Sequence, residues 1–281
     1  MRDNPVDKKA IQYSRGMRSA PTVPRLNLAS ISLALGDAAC RFDADLLPTC
    51  DSSNAVLLAR ADAGAPTGTV VIAEIQTAGR GRRGRAWLSA PGDSLTFSLL
   101  WRFAPGTAPA GLSLAVGLAV AIALQKVGDG KTAPIQLKWP NDLLRDRKKL
   151  GGILVELVPG TTHAAVVGIG LNLHLPAAMP ADLREQSAAL DVPVDPNQLL
   201  AALLLELRAT LDTFAQHGFA ALRSAWQAHH AFENTPVRLL SDFVPPRDGI
   251  CRGVAVDGAL LFEADGQVER ILSGEISLRL R

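Results

Sequence analysis

Residues 76–87, QTAGRGRRGRAW, combine residue types that could bind an anion. Arg80, Arg82, Arg83 and Arg85 alternate with glycines that let backbone N–H groups approach a ligand closely, and arginine offers a planar charged fork that matches phosphate or carboxylate oxygens. We expect the loop to become ordered over an anionic ligand. It is not a Walker A loop, because no Gly-Lys-Ser/Thr follows. An Arg-Gly nucleic-acid-binding segment and a solvated charged loop are the alternatives.

Two basic segments follow. In 138–142, KWPND, the neighbours Asn141 and Asp142 could offer oxygens to Mg²⁺ or hydrogen bonds to a nucleotide. A plain Pro-Asn-Asp turn that closes a hairpin is the alternative. In 147–156, RKKLGGILVE, one lysine could face an anion, or the basic run could protect a sheet edge.

Residues 168–173, GIGLNL, place Gly168 and Gly170 at alternate positions of an apolar run. On a β-strand both glycines share one face, and that face would be left bare for a flat ligand. A β-bulge is the alternative explanation of these glycines.

Composition excludes several classes of protein. The chain has 281 residues, 48% of them hydrophobic, and a formal net charge of +2, with 29 basic and 27 acidic residues. This balance argues against a strongly basic nucleic-acid-binding protein. Cys40, Cys50 and Cys251 are too few and too scattered for a disulfide framework and favour a reducing compartment. The apolar run 111–124 is shorter than the roughly 20 residues of a membrane span, and no secretory signal precedes it, so a cytoplasmic protein is expected.

Hydrophobic periodicity and cap residues predict the elements that must position these segments. Ser52 and Ser53 stand where a helix N-cap is expected, and Gly64 ends that helix. The predicted helices are 27–35, 54–64, 111–128, 195–218 and 219–229, and the predicted strands are 69–75, 94–103, 135–139, 152–157 and 164–173. Strand 94–103 alternates apolar residues on one face with Thr96, Ser98 and Arg102 on the other.

The pattern predicts an α+β fold in two parts. Residues 1–26 are expected to be a disordered tail (Met17 is an alternative start), and 27–234 a catalytic domain. From Thr235 onward, short strands are separated by Asp-Gly pairs that begin at Asp248, Asp257 and Asp265, a hairpin signal. This pattern therefore predicts that residues 235–281 form a small β-barrel-like domain.

Taken together, the segments resemble the biotin–protein ligase family over about 46–281. The matching motifs, in family order, are DSSN at 51–54, GRGRRGRAW at 79–87, KWPNDLL at 138–144, KKLGGILVE at 148–156, GIGLNL at 168–173 and EISL at 275–278. The resemblance implies a mixed β-sheet domain related to class II aminoacyl-tRNA synthetases, followed by a small C-terminal SH3-like β-barrel. It implies ATP- and Mg²⁺-dependent conversion of biotin to biotinyl-5′-AMP. Biotin is then transferred to a lysine of the biotin carboxyl carrier protein of acetyl-CoA carboxylase or another biotin-dependent carboxylase.

The resemblance also assigns roles to individual residues. The biotin-binding residues would be Ser52, Ser53, Asn54, Gln76, Gly79, Arg80, Gly81, Arg82, Trp87, Lys149, Gly152, Leu154 and Gly170. The nucleotide-binding residues would be Arg82, Arg85, Trp87, Asn141, Lys149 and Asn172. Lys149, Arg80 and Arg82 would be catalytic, and Asn141 and Asp142 would bind Mg²⁺. The segment after Asp142 is one residue longer than in some relatives, so Lys148 competes with Lys149 for its role.

The N-terminal part bears on DNA binding. About 45 residues precede the catalytic region, fewer than the roughly 60 of a winged-helix module, which predicts a ligase without repressor activity and without a DNA partner. A lipoate or octanoate ligase on the same fold and a non-catalytic nucleic-acid-binding protein are the alternative functions. The oligomeric state, monomer or homodimer, stays open.

Overall fold

The computed structural model describes residues 25–128, 134–161, 163–177, 179–191, 193–241, 244–272 and 276–281. The predicted tail, apart from residues 25 and 26, lies outside the described residues, as does Glu275 of the last motif.

A seven-stranded mixed sheet forms the centre of the larger part. Its strands are β1 (Asp43–Cys50), β2 (Thr69–Gln76), β3 (Ser94–Arg102), β4 (Gln136–Lys138), β5 (Asp142–Arg145), β6 (Lys148–Leu157) and β7 (Ala164–Asn172). The spatial order is β1-β2-β3-β7-β6-β5-β4. β1 and β2 are parallel, and every other neighbouring pair is antiparallel. All five predicted strands are confirmed, whereas β1 and β5 were not predicted.

The described residues form six α-helices beside this sheet: α1 (Leu28–Leu35), α2 (Ser53–Asp62), α3 (Leu112–Val127), α4 (Ala181–Gln186), α5 (Pro196–His217) and α6 (Arg223–Ala228). α3 is apolar on nearly every side because it lies between the sheet and α5, and it ends at Gly128, as predicted. α2 lies against the other face, where Leu57 packs in a smaller cluster with Val71 and Val166. The middle strand β7 is therefore buried along its whole length.

The helix ends follow local chemistry. Asp195 caps α5 by accepting a 2.9 Å hydrogen bond from the Asn197 N–H, Pro196 occupies the first turn, and Gly218 ends the helix with φ +64°. The long amphipathic helix is thus confirmed. The second predicted helix is shorter than expected, because 219–221 form a 3₁₀ turn before α6 begins.

The C-terminal part is a five-stranded antiparallel sheet. Its strands are β8 (Thr235–Ser241), β9 (Arg247–Val254), β10 (Leu260–Ala264), β11 (Gln267–Ile271) and β12 (Ile276–Leu280), in the order β11-β10-β9-β8-β12. β11 and β12 lie at opposite edges, and no ladder joins them in the described part of the chain. The predicted closed barrel is therefore an open sheet.

Two of the three Asp-Gly turns are confirmed, those at Asp257 and Asp265. The prediction at Asp248 is wrong, because this pair lies inside β9. A Cβ on Gly249 would lie 2.4 Å from the Phe262 ring, so this glycine lets an aromatic ring pack flat on the strand instead of forming a turn.

The two sheets are in direct contact. The Trp139 Nε1–H, in the turn after β4, donates a 3.0 Å hydrogen bond to the Gly258 carbonyl, in the turn between β9 and β10. Trp139 is fully buried between them. Among the described helices, none is both long enough and apolar enough to cross a membrane.

His230 at this junction makes folding sensitive to acid. Its ring lies tilted against Trp226 with the ring centroids 4.7 Å apart, and no described residue pairs with its buried Nδ1. Burial lowers the pKa of His230 to about 4. The unfolded chain takes up this proton near pH 6.5, so the His230 contribution is complete above that pH and is lost as the pH falls toward 4. We expect the free energy of unfolding to fall by about 2 kcal/mol from this residue between pH 7.5 and pH 5.

Urea denaturation at both pH values measures this effect. His230→Gln should reduce the fall, whereas His217→Gln, at an exposed position of α5, should leave it unchanged. An undiminished fall in the His230 variant would contradict the assignment.

Candidate functional site

A row of five paired residues crosses the face of the larger sheet that α2 covers in part. Lys138 pairs with Asp142, Asp142 with Gly152, Gly152 with Gly170, and Gly170 with Thr96. Directly paired residues of an antiparallel ladder project from the same face, and neighbouring strands lie about 4.8 Å apart. The row therefore has a charged end at Lys138 and Asp142 and a hydroxyl end at Thr96. Between them lie Gly152 and Gly170, which we call the glycine floor. The next row joins Ser98, Gly168 and Leu154.

Gly168 and Gly170, the two β7 glycines of these rows, allow side chains from other elements to approach the sheet closely. A Cβ on Gly168 would lie 2.2 Å from Asn54 Oδ1, and one on Gly170 would lie 2.4 Å from the Trp87 ring. β7 pairs with both neighbours in unbroken register, so the β-bulge alternative is wrong. The face is not left bare, however, because Asn54 and Trp87 lie on it.

A polar cluster forms where α2 begins. Gln76 Oε1 accepts hydrogen bonds from the N–H and the hydroxyl of Ser53, at 2.7 and 3.1 Å. The buried Ser98 hydroxyl donates to Asn54 Oδ1 at 2.5 Å and lies 2.8 Å from the Ser53 hydroxyl. Asn54 in turn donates to Glu156 Oε2 at 2.8 Å. Ser52 occupies the N-cap position, as predicted, but its side chain makes no capping hydrogen bond.

The opposite end carries charge. Asp142 accepts from the Lys138 ammonium at 2.8 Å and from the Lys149 ammonium at 2.7 Å, one on each carboxylate oxygen. Burial alone would raise the pKa of Asp142, but the two ammonium groups outweigh burial and hold that pKa well below its usual value. Burial lowers the pKa of Lys138, and Arg279 and Lys149 lower it further against the opposing effect of Asp142. Lys148 borders the same cavity but is exposed.

The arginine-rich loop forms a short hairpin over the cavity. The Trp87 N–H donates to the Gly79 carbonyl at 2.8 Å, and the Gly81 N–H donates to the Arg85 carbonyl at 2.7 Å. A Cβ on Gly79 would lie 2.6 Å from the Trp87 carbonyl oxygen, so only glycine allows this contact.

Side-chain contacts tie two loop arginines to the sheet. Arg82 donates to Asn141 Oδ1 at 3.1 Å, and Arg80 lies 3.4 Å from Glu156 Oε2. These contacts hold the Arg82 guanidinium beside the turn between β4 and β5 and the Arg80 guanidinium beside β6.

The two predicted Mg²⁺ ligands already have partners. Asn141 Oδ1 accepts from Arg82 and its Nδ2 donates to the Ile153 carbonyl at 2.9 Å, while both Asp142 oxygens accept from lysines. As they stand, these oxygens do not fit a divalent cation, because cationic groups occupy them. Residues 139–141 form the turn between β4 and β5, so the turn alternative holds as well.

These elements enclose a cavity of about 540 Å³. All predicted site residues line it except Gly79, which lies behind Trp87: Ser52, Ser53, Asn54, Gln76, Arg80, Gly81, Arg82, Arg85, Trp87, Asn141, Asp142, Lys149, Gly152, Leu154, Gly170 and Asn172. The Asn172 side chain donates to the Ala188 carbonyl at 3.0 Å, which fixes its orientation at the cavity wall.

Sequence reasoning missed part of the lining. Lys138, Thr96, and residues of α4 and β12 also border the cavity, and Ser98 and Glu156 join the polar cluster through their hydrogen bonds with Asn54. The polar face noted on strand 94–103 was a usable signal for Thr96 and Ser98. The EISL motif marked the segment that becomes β12, but its place at the cavity depends on how the two sheets pack.

Comparison with known proteins shows which family this chain resembles. Residues 47–172 match the biotin/lipoate A/B protein ligase family. The chain is 42% identical over 242 residues to the bifunctional ligase/repressor BirA of Escherichia coli, covering 83% of this chain and 73% of that protein. It is 34% identical over 239 residues to the biotin–[acetyl-CoA-carboxylase] ligase of Mycobacterium tuberculosis, covering 83% of this chain and 87% of that protein.

A solved structure of the biotin protein ligase from Aquifex aeolicus in complex with biotin and ATP superimposes with a TM-score of 0.74. It is 29% identical, and the match covers 85% of this chain and 99% of that chain. Fold and site thus define a ligase of the biotin and lipoate class. Within this class, the chain belongs to the biotin–protein ligase family and is a biotin–protein ligase enzyme, which confirms the resemblance.

Removing the charge of Asp142 should be costly, because Lys138 and Lys149 would both lose their ion-pair partner. Asp142→Asn keeps the shape but removes the charge between two ammonium groups, which leaves them to repel each other. Breaking a buried ion pair costs about 3 kcal/mol, so the free energy of unfolding should fall by that order. Urea denaturation at pH 7.5 measures it.

Asp45→Asn is the matched control, because it breaks the more exposed Arg60–Asp45 pair at 2.6 Å. Its cost should stay below about 1 kcal/mol. Equal losses in the two variants would show that the Asp142 bridge is not a special constraint.

Proposed function

We propose that the protein activates biotin with ATP to biotinyl-5′-AMP and then transfers biotin to one lysine of a biotin carboxyl carrier domain. The observation that carries the proposal is the cavity itself, which has a polar cluster at one end and Lys149 at the other. In the first step, a biotin carboxylate oxygen bonds to the α-phosphorus of ATP and pyrophosphate leaves. In the second, the carrier amine bonds to the acyl carbon and AMP leaves.

Fixed positive charge is the main requirement of the first step, because two anions must meet. Lys149, Arg80 and Arg82 would supply it as catalytic residues. Asp142 holds Lys149 at the cavity before a ligand arrives, so little reorganisation is needed when the anions bind. The exposed Lys148 is the weaker candidate for this role.

The remaining cavity residues would bind the two substrates. Ser52, Ser53, Asn54 and Gln76 offer hydroxyl and amide groups to the ureido ring of biotin, while Trp87, Leu154, Gly152 and Gly170 form an apolar slot. Arg85, Asn141 and Asn172 would contact the nucleotide together with Arg82, Trp87 and Lys149. The loop that contains Gly79 and Gly81 would exclude water from the adenylate, a mixed anhydride that water destroys.

Mg²⁺ enters the proposal as the counter-ion of ATP, whose phosphate charge it neutralises when bound. Asn141 and Asp142 remain its predicted ligands. To bind the ion they would have to exchange their present partners, so no step is assigned to the metal here.

The proposal includes a domain division and a partner. Residues 27–234 would be a catalytic domain related to class II aminoacyl-tRNA synthetases. Residues 235–281 would be a small C-terminal β-domain of SH3-like origin that braces the site, consistent with the position of β12 at the cavity. The partner would be the carrier protein of acetyl-CoA carboxylase or another biotin-dependent carboxylase. We place the enzyme in the cytoplasm, as a monomer or a homodimer.

Pyrophosphate–ATP exchange tests the adenylation step without a carrier protein. We expect biotin-dependent exchange, with at least a hundredfold loss in Lys149→Ala, since removing one fixed charge from a reacting centre has about this effect. Lys148→Ala is the matched control and should retain most of the activity.

Other outcomes of this assay would change the assigned acid, the assigned lysine or the reaction itself. Exchange with lipoate or octanoate instead of biotin would favour the alternative acyl ligase. An inactive Lys148 variant beside an active Lys149 variant would reverse the assignment of the two lysines. Absence of exchange with every acid would contradict the proposed reaction and favour a nucleic-acid-binding role for the arginine-rich loop.

The expected lack of repressor activity is tested by electrophoretic mobility shift with DNA upstream of the biotin operon. We expect no saturable, biotin-dependent shift at physiological salt. The salt dependence of any binding separates a specific complex from non-specific attraction to the arginine-rich loop. A saturable complex that requires biotin would refute this part of the proposal.

A further inference from the structure

Two buried polar atoms in the cavity wall make no hydrogen bond in the described structure, the Thr96 hydroxyl and the Trp87 indole N–H. Thr96 is only 4% exposed. A buried hydroxyl without a partner costs free energy, so native proteins rarely retain one without a use. In a cavity wall, a water molecule or a bound ligand can supply the missing partner.

The position of Thr96 relative to the polar cluster indicates which part of a ligand it would meet. It lies two residues from Ser98 on β3, so both side chains project from the same face. Across the ladder it pairs with Gly170, which offers no side chain to cover it. Thr96 thus stands between the Ser53–Ser98 cluster and the glycine floor.

Trp87 closes the other side of this position. Its ring lies against Gly170, with Nε1 2.8 Å from where a Cβ on that glycine would be. Thr96 therefore lies on the same face as the Ser53–Ser98 cluster, in the row that Trp87 covers.

We infer that Thr96 is a specificity-determining residue whose hydroxyl completes its hydrogen bond only on the ring system of bound biotin. This rests on the proposed function. An alkyl chain such as that of octanoate carries no acceptor along its length and would leave the hydroxyl unpaired. Sites that must pair a buried polar group discriminate well against ligands that lack the matching group. Thr96 thereby favours a heteroatom-containing ring over a plain acyl chain.

Three variants of the full-length protein test the inference by biotin titration calorimetry and thermal unfolding. Thr96→Val removes the hydroxyl at nearly constant volume, and Thr96→Ser retains it. Thr69→Val is the matched control, because Thr69 is equally buried but its hydroxyl already donates to the Pro66 carbonyl at 2.8 Å.

The two valine variants should behave in opposite ways. Thr96→Val should weaken biotin binding about fivefold, the effect of one net hydrogen bond, without lowering the melting temperature, since the free protein loses no bond. Thr96→Ser should bind within about twofold of wild type on the same basis. Thr69→Val should lower the melting temperature and leave biotin affinity unchanged.

Biotin affinity of Thr96→Val equal to wild type, or equal weakening in Thr96→Val and Thr96→Ser, would overturn the inference. Failure of the wild-type protein itself to bind biotin would instead refute the proposed function, so the two failures are distinguishable.

Discussion

The site depends on a steric constraint, the missing side chains of Gly168 and Gly170 on the middle strand of the sheet. Because no Cβ stands there, Asn54 and Trp87 can lie against the backbone, and any larger residue would push them away by more than packing could absorb. Asn54 then reaches Ser98 and Glu156, and Trp87 forms one wall of the cavity. The absence of a Cβ at Gly168 and Gly170 thus positions the hydrogen-bond network around Asn54.

Electrostatics organises the other end of the same face. Asp142 is flanked by two ammonium groups, so its carboxylate is held ionised and in turn holds Lys149 at the cavity. Such an arrangement stores little net stability, because both the carboxylate and Lys138 are taken out of water. Under the proposed function, the arrangement places positive charge at the cavity before a ligand arrives, which lowers the cost of bringing two anions together.

Biotin ligation also accounts for features that lower the stability of the free protein and would serve no purpose in a purely structural protein. The buried Thr96 hydroxyl and Trp87 indole N–H find no partner among the described residues, and several arginines share one short loop. Each costs stability in the free protein, and under the proposed function each would gain a partner when a polar, anionic ligand fills the cavity. The second sheet also helps to form the cavity, because its last strand, β12, lines it. The hydrogen bond from Trp139 to the Gly258 carbonyl joins this sheet to the first.

The sequence alone determined the local structure and the identity of most site residues. α5 has a cap, a proline and a glycine at the expected positions, and strand 94–103 alternates cleanly, because these signals act within a few residues. The motifs fell into the order of a known family, which named sixteen of the residues that line the cavity.

Tertiary structure decided what depends on distant residues. β1 contains a proline and is partly exposed, so it lacks the periodicity of a buried strand and was missed. Asp248 and Gly249 looked like a turn, but Phe262, which comes later in the chain, needs that glycine for packing. Likewise, only the register of β3 against β7 shows that Thr96 faces the glycine floor, since pairing partners are set by the whole sheet and not by the strand itself.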